Sequence, residues 1–404
     1  MKKITLTKLI TLSLIAATTL HATNGDHLIG IGAKARGMGG TGIAVSHGAE
    51  SGLANPALIT SVEGTEISFG GTLFSPTIKT QINGTRDTSY TSDADLNMIP
   101  EVSIAHKIDD NWYIGVGMWG TAGMGTDFSK AGTFNPQAGI FANFNMVTNL
   151  QLLQFGVPIA YKAGGLSVAV TPIMQYGNLD INYINPQTGA GNGAGLAQDF
   201  GFGYNLGVAY DFAQDGVKGL TIGATYKSSI EMTYSGQLTT ATAPFGLTLP
   251  AGDTLEQPSE YGVGIAYTTG GHTLAFDYKN IQWSDTKGYG DFGWEDQDVY
   301  AFGYQYAQDN WAVRVGYNYG ASAVVEGKDP RLNFFNLLGF PANAESHYTV
   351  GGSYSISSSF SVDLAYVYSP ETSDSFDITG LAFPSTIATS HQESSLAFQL
   401  NYKF

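Results

Sequence analysis

The chain has 404 residues, 34 acidic and 18 basic, for a net charge of −16 at pH 7, with no cysteine, 52 glycines, 23 tyrosines and 22 phenylalanines. That acidity argues against a nucleic-acid partner, and the lack of cysteine excludes disulfides and thiolate metal sites. Only 13% of residues are charged, a balance that suits a barrel packing aromatics outward and small residues where strands cross closely.

Lys2, Lys3 and Lys8, the apolar stretch Leu9 to Leu20, and Leu20-His21-Ala22 before Thr23 read as a secretory signal over residues 1–22. The stretch is too short to span a bilayer, which takes about 20 apolar residues in a helix. Gly, Ser, Thr, Asn or Asp interrupts every later apolar run, so any membrane is crossed by strands. Without the leader the chain carries 15 basic and 34 acidic side chains, a net charge of −19. Residues 23–63 lack alternation but hold eight glycines between Gly30 and Gly52, with Ile29, Ile31, Met38, Ile43, Val45, Leu53 and Leu58. This small, apolar segment predicts a plug inside the lumen of a barrel formed by residues 64–404. The alternative is a flexible periplasmic tail, against which its apolar content argues.

From Ile67 onward the two-residue period of a strand with one apolar face recurs. The strands are marked by Ile67–Leu73, Val102–Ile108, Trp112–Met118, Leu153–Tyr161, Leu166–Val170, Phe202–Phe212, Leu220–Tyr226, Tyr261–Tyr267, Leu274–Tyr278, Tyr300–Tyr306, Trp311–Tyr319, Tyr348–Tyr354, Phe360–Tyr368 and Ser394–Phe404. That is fourteen, an even number, as single-chain bacterial barrels have. Long connections (75–98, 121–148, 177–200, 229–258, 284–297, 321–346, 370–393) alternate strictly with tight ones such as Asp109-Asp110-Asn111 and Thr269-Gly270-Gly271. Transmembrane barrels sort their loops in this way, short turns on the periplasmic side and long loops outside. The fold class is therefore all-β, a fourteen-stranded antiparallel transmembrane β-barrel with an N-terminal plug.

Gly37-Met38-Gly39-Gly40-Thr41-Gly42 matches a dinucleotide-binding fingerprint, but no strand precedes it and no strand-helix alternation follows. Its glycines instead suit tight turns and close approach to a barrel wall. The run from Ile29 through Gly37, Gly39, Gly40 and Gly42, then Ala49 and Asn55-Pro56-Ala57-Leu58, resembles the hatch segment of the outer-membrane transporters of long-chain fatty acids and aromatic hydrocarbons, the FadL and TodX type. Ile99-Pro100-Glu101-Val102, Ile108-Asp109-Asp110-Asn111-Trp112 and Gly115-Val116-Gly117 continue the resemblance over essentially the whole chain. It implies a monomer in the Gram-negative outer membrane, among its lipids and lipopolysaccharide, that takes up hydrophobic molecules passively. It also implies plug or gating roles for Gly37, Gly39, Gly40, Asn55, Pro56 and Ala57, and a kinked third strand opening the wall near Gly117, Gly120 and Gly123. The aromatic terminus Phe404 is, by the same resemblance, read by the barrel-insertion machinery.

Apolar residues recur in the long loops: Phe245, Leu247 and Leu249 in the fourth, Leu332, Phe334, Phe335, Leu337 and Leu338 in the sixth, Phe134, Phe141 and Phe144 in the second, and Ile378, Leu381 and Phe383 in the seventh. Either they cover one another as a lid or they meet an apolar ligand; Phe245, Leu247, Leu249, Phe334 and Phe335 are the candidate capture residues. The third loop, Asn185 to Gly195, is rich in Gly and Asn, a departure from the family's capture groove. Seven scattered histidines show no metal-binding spacing and no nucleophile elbow occurs, so no enzyme, cofactor or metal is expected. Lys34 and Arg36 face two readings: a fatty-acid carboxylate, or partners in the acidic wall. The function expected is uptake of a hydrophobic compound by loop capture, lumen binding and plug-gated lateral release, with a porin for small polar solutes or a surface adhesin as alternatives.

Overall fold

A computed structural model describes residues 23–381 and 385–404; the expected leader and Phe383 lie outside them. Fourteen antiparallel strands close on themselves: β1 (Thr65–Ile82), β2 (Asn97–Lys107), β3 (Trp112–Met124), β4 in two pieces (Val147–Gly156 and Ile159–Ala163), β5 (Leu166–Ile184), β6 (Ala197–Asp211), β7 (Leu220–Lys227), β8 (Glu260–Thr269), β9 (His272–Ile281), β10 (Gln297–Gln308), β11 (Trp311–Gly320), β12 (Ser346–Ser355), β13 (Phe360–Asp377) and β14 (Thr386–Lys403). Strand β14 pairs with β1 from Ile387↔Ile82 to Lys403↔Glu66, which abolishes the sheet edges. Phe404 completes the seam by exchanging hydrogen bonds with Thr65.

The alternation explains the orientation of every strand. On β14, Leu396, Phe398, Leu400 and Tyr402 are exposed on the outer wall, while Ala397, Gln399 and Asn401 are buried in the lumen. An exposed apolar belt beside a packed polar interior is the arrangement a lipid bilayer selects.

Two local differences from the sequence reading have simple causes. Strands β1, β5, β13 and β14 run well into segments read as long loops, leaving 83–96, 185–196 and 378–385 as the connections. Strand pairing persists there, as at Thr80↔Thr389, whose hydroxyls also bond at 2.9 Å, and polar residues stand among the buried Ile78, Ile82, Phe376 and Ile387, which breaks the apolar alternation. Strand β4 is interrupted at Val157-Pro158, because proline has no N–H for the ladder; its carbonyl instead accepts from Gly115 N at 2.8 Å.

Residues 23–63 fill the lumen with short pieces: helix α1 (Gly32–Gly37), a 3-10 turn Gly48–Glu50, helix α2 (Ser51–Ala54) and a 3-10 turn Pro56–Ser61. Such short helices leave many backbone amides unpaired, and wall side chains take them up. Ala33 N donates to Gln399 of β14 (2.9 Å), Gly39 N to Thr349 of β12 (3.0 Å), and Gly42 N and Ile43 N to Asp277 of β9 (2.7 and 2.9 Å). The Asn55 amide donates to Ile43 O (2.7 Å) and Val208 O of β6 (3.1 Å), while its Oδ1 accepts from Ala57 N (3.1 Å). Contacts on β6, β9, β12 and β14 place the plug across the lumen rather than against one side.

The fingerprint glycines act sterically. Gly39 has φ +68°, and a Cβ there would stand 2.6 Å from the carbonyl oxygens of Phe302 and Tyr317. Gly37 packs against Gly351 backbone to backbone, and a Cβ on Gly40 (φ +85°) would strike Ile29 O. Pro56 packs likewise against Gly207 of β6.

Candidate functional site

Charge fixes the plug to the wall. Arg36, 1% exposed, is ion-paired with Glu101 of β2 and hydrogen-bonded to Thr72 of β1. Glu101 Oε2 also accepts from Gly32 N at 3.1 Å. Lys34 lies 3.3 Å from Glu50 Oε1 and 3.5 Å from Asp363 Oδ2 of β13. Both cations are therefore matched by the acidic wall and plug, and neither is presented to a ligand carboxylate.

Burial within this network pushes the Glu50 carboxyl up to about 7, against the pull of Lys34, and with Asp363 and Glu101 adding to the rise. Burial also pushes the His47 imidazole down to about 3, although its bond to Thr41 O opposes the shift. Seating through Glu50 is fully present below about pH 4.5, its ordinary value, and is lost as pH rises through about 7. Seating through His47 runs the other way, lost as pH falls from about 6.5 towards 3. The two slopes oppose each other between about 4.5 and 6.5, so plug retention should be broad there, weakening below pH 4.5 and again towards pH 7. Single-channel recordings across pH 3–8 check this; Glu50→Gln should abolish the loss on the neutral side alone.

The ladder between β2 and β3 is incomplete beside the plug. Strands β2 and β3 pair only from Lys107↔Tyr113 to Glu101↔Trp119. Above that point Asn97–Pro100 pair with β1 alone, and β3 turns towards β4 through a bulge between Gly120 and Ala122. The plug's first residues enter the space left over: His27 pairs with Ala122, and Gly123 N donates to Asp26 O at 3.1 Å. A cavity of about 460 Å³ lies against this gap, lined among others by Phe74, Ile78, Ile99, Gly120, Gly123 and Leu150.

Of Gly117, Gly120 and Gly123, the glycines expected near a lateral opening, Gly120 and Gly123 line this cavity. Gly120 lies under the Ile99 side chain, and Gly123 under Leu150 O. Gly117 lies lower, paired with both Ser103 and Gly156. Its missing side chain makes room for Trp119, whose ring would strike a Cβ there and whose Nε1 donates to Ser103 at 2.8 Å.

The outer mouth is closed by packed loops. Helix α3 (Pro330–Gly339) starts at Asp329, which caps Arg331 N and pairs with its guanidinium at 2.6 Å. Its last carbonyls accept from the hydroxyls of Thr389 (on Leu337 O, 2.8 Å), Thr126 (on Leu338 O, 2.9 Å) and Thr148 (on Gly339 O, 2.5 Å). Phe334 and Phe335 on this helix are 0% and 2% exposed, packed against Phe245 at ring separations of 5.2 and 5.1 Å. Leu249 is buried too. Of the five candidate capture residues, only Phe245 and Leu247 keep part of their surface outward; Leu332, Phe134 and Phe141 share that partial exposure.

Sequence reasoning missed the coupling between lid and gap. Tyr289, in the loop between β9 and β10, donates to Asp26 Oδ2 at 2.5 Å. Gln257 donates to the same oxygen at 3.2 Å and meets His27 Nε2 at 2.9 Å, and the His27 ring lies 5.2 Å from Trp283. Nothing in the spacing of these residues marks them as neighbours.

The chain is 22% identical over 396 residues to a 47 kDa outer membrane protein of Pasteurella multocida, covering 87% of each. The solved Pseudomonas putida toluene transporter TodX is similar in fold, with a TM-score of 0.70, 18% identity, and coverage of 95% of this chain and 100% of that one. A Pseudomonas aeruginosa FadL homologue gives 0.69, 14% identity, and coverage of 94% and 100%. A closed fourteen-stranded barrel around a lumen plug is common ground with those folds, and residues 15–404 match the family described as Outer membrane protein transport protein (OMPP1/FadL/TodX), so the chain belongs to that family of outer-membrane transport proteins.

Proposed function

We propose that the barrel carries hydrophobic compounds, either long-chain fatty acids or aromatic and aliphatic hydrocarbons, passively inward by a lateral route. The observation that carries this reading is the largely apolar cavity of about 460 Å³ set against the unpaired stretch between β2 and β3. A hydrophobic molecule meets Phe245 and Leu247 at the lid rim, passes between packed loop aromatics, and rests in the cavity. It leaves past Gly120 and Gly123 once the plug residues Gly25–Leu28 yield. Gly37, Gly39, Gly40, Asn55, Pro56 and Ala57 hold the remainder of the plug while that short segment moves. Burial of apolar surface supplies binding at about 25 cal/mol per Å², so discrimination among molecules of similar size is weak.

The plug's contacts around the wall support this reading over an open porin. The barrel acts as a single chain, with membrane lipid and lipopolysaccharide against its outer belt and Phe404 serving the insertion machinery. Expression in a host lacking its own such transporters should raise uptake of labelled oleate or toluene several-fold, while the purified barrel in planar bilayers conducts little. Equal uptake with and without the barrel, or high ungated conductance, would overturn the proposal and favour the porin.

A further inference from the structure

Thr23, the first described residue of the plug, sits in a buried polar seat at the edge of the 460 Å³ cavity. Thr23 is 4% exposed and Asn24 is wholly buried. Thr23 N lies 3.0 Å from His347 Nε2, and its hydroxyl donates to Glu393 Oε1 at 2.6 Å. His391 Nε2 stands 3.2 Å from the same Glu393 oxygen, and His347 Nε2 is 3.8 Å from Glu393 Oε2. His347, His391 and Glu393 come from β12 and β14, are 0%, 5% and 1% exposed, and were unremarkable along the sequence. Glu393 Oε2 accepts no hydrogen bond.

A buried carboxylate with one oxygen unmatched is costly unless a cation meets it. No lysine or arginine is paired with Glu393 among the described residues, and no group of their side chains is arranged to hold a metal. A cation that does not depend on protonation of His347 or His391 is supplied if cleavage makes Thr23 the first residue. Hydrolysis of the Ala22–Thr23 bond by a signal endopeptidase adds one water, breaks the C–N bond, leaves a carboxylate on Ala22 and gives Thr23 an amine that takes up a proton. An α-amine titrates near 8 when free, and a carboxylate neighbour holds its proton on. The resulting ammonium has three donors where an amide has one, enough for His347 and for the unmatched oxygen.

We propose that Glu393, His347 and His391 form a receptor for the α-ammonium created at Thr23, so that leader removal and docking of the plug's first residues are one event. Thr23 and Glu393 also line the 460 Å³ cavity. The inference is independent of which molecule is carried.

The test uses the full chain exported and purified from outer membranes. Terminal sequencing should return Thr23-Asn24-Gly25. A small acylating reagent should modify the native α-amine at least about tenfold more slowly than in the boiled, unfolded protein. Glu393→Gln should remove most of that protection, and so should one glycine inserted between Ala22 and Thr23, which pushes the amine out of the seat without touching the barrel. Gel mobility before and after boiling reports that each barrel is folded. A different first residue, labelling of the folded wild type at the unfolded rate, or full protection in both variants overturns the proposal.

Discussion

Arg36→Ala is expected to turn a closed barrel into a conducting one. Arg36 and Glu101 are both about 1% exposed, and removal of one partner of a buried pair leaves the other charge uncompensated, at about 3–5 kcal/mol. Glu101 belongs to β2, held by its ladders, and Arg36 to a six-residue helix. The cost therefore falls on the plug. At about 1.4 kcal/mol per tenfold, that penalty shifts the balance between seated and displaced plug by roughly a hundredfold or more. Long-lived openings should appear in planar bilayers where the wild type shows few, while the barrel still migrates as a folded species before boiling. Adding Glu101→Gln to the variant should recover much of the closure, since it removes the stranded charge. Wild-type conductance in Arg36→Ala, or no recovery in the double variant, would show that the plug is held mainly by its amide contacts to Gln399, Thr349 and Asp277.

Deletion of Thr121 is expected to close the proposed lateral route. The register shift between Gly120 and Ala122 on the β4 side falls just past Trp119, where β3 stops pairing with β2, and bulges bend the strand that carries them. Removing the extra residue lets Gly120 and Ala122 follow Trp119 in register and brings β3 back towards Pro100 and Ile99. Uptake of labelled hydrophobic compounds should fall by about tenfold or more, for the exit past Gly120 and Gly123 would be walled by a continuous ladder. Thr121→Ala keeps the residue count and so the bulge, and should transport at the wild-type rate. Undiminished uptake in the deletion variant, with folding verified, would place the exit elsewhere and direct attention to the plug itself.

The barrel was legible because its code is local. Alternation at Leu396, Phe398, Leu400 and Tyr402 follows from the pleat alone, and each strand repeats it, so fourteen strands and the sorting of their loops could be counted without a structure. Strand lengths were less legible: in the outer ends of β1, β5, β13 and β14, polar residues such as the paired Thr80 and Thr389 interrupt the buried apolar row, so the period fades although pairing continues. The plug was visible as composition, and its glycines as a steric requirement. Which backbone each glycine meets, Gly39 against Phe302 and Tyr317 or Gly37 against Gly351, was not.

The loops show the limit most clearly. Phe245 and Phe335 are both aromatic residues in long loops, yet one keeps a partly exposed face and the other is 2% exposed, because burial depends on which loops meet above the lumen. The same holds for Tyr289 on Asp26, and for His347, His391 and Glu393 around Thr23, groups separated by as many as 370 positions. By itself the sequence determined the all-β barrel, the side of each strand that faces lipid, and the presence of a plug, since these rest on periodicity and composition within a few residues. Only the tertiary structure decided where the β2–β3 ladder stops, what the loops cover and which charges the plug engages, since closing a barrel brings distant strands together through hydrogen bonds and packing that leave no mark on the spacing of any one segment.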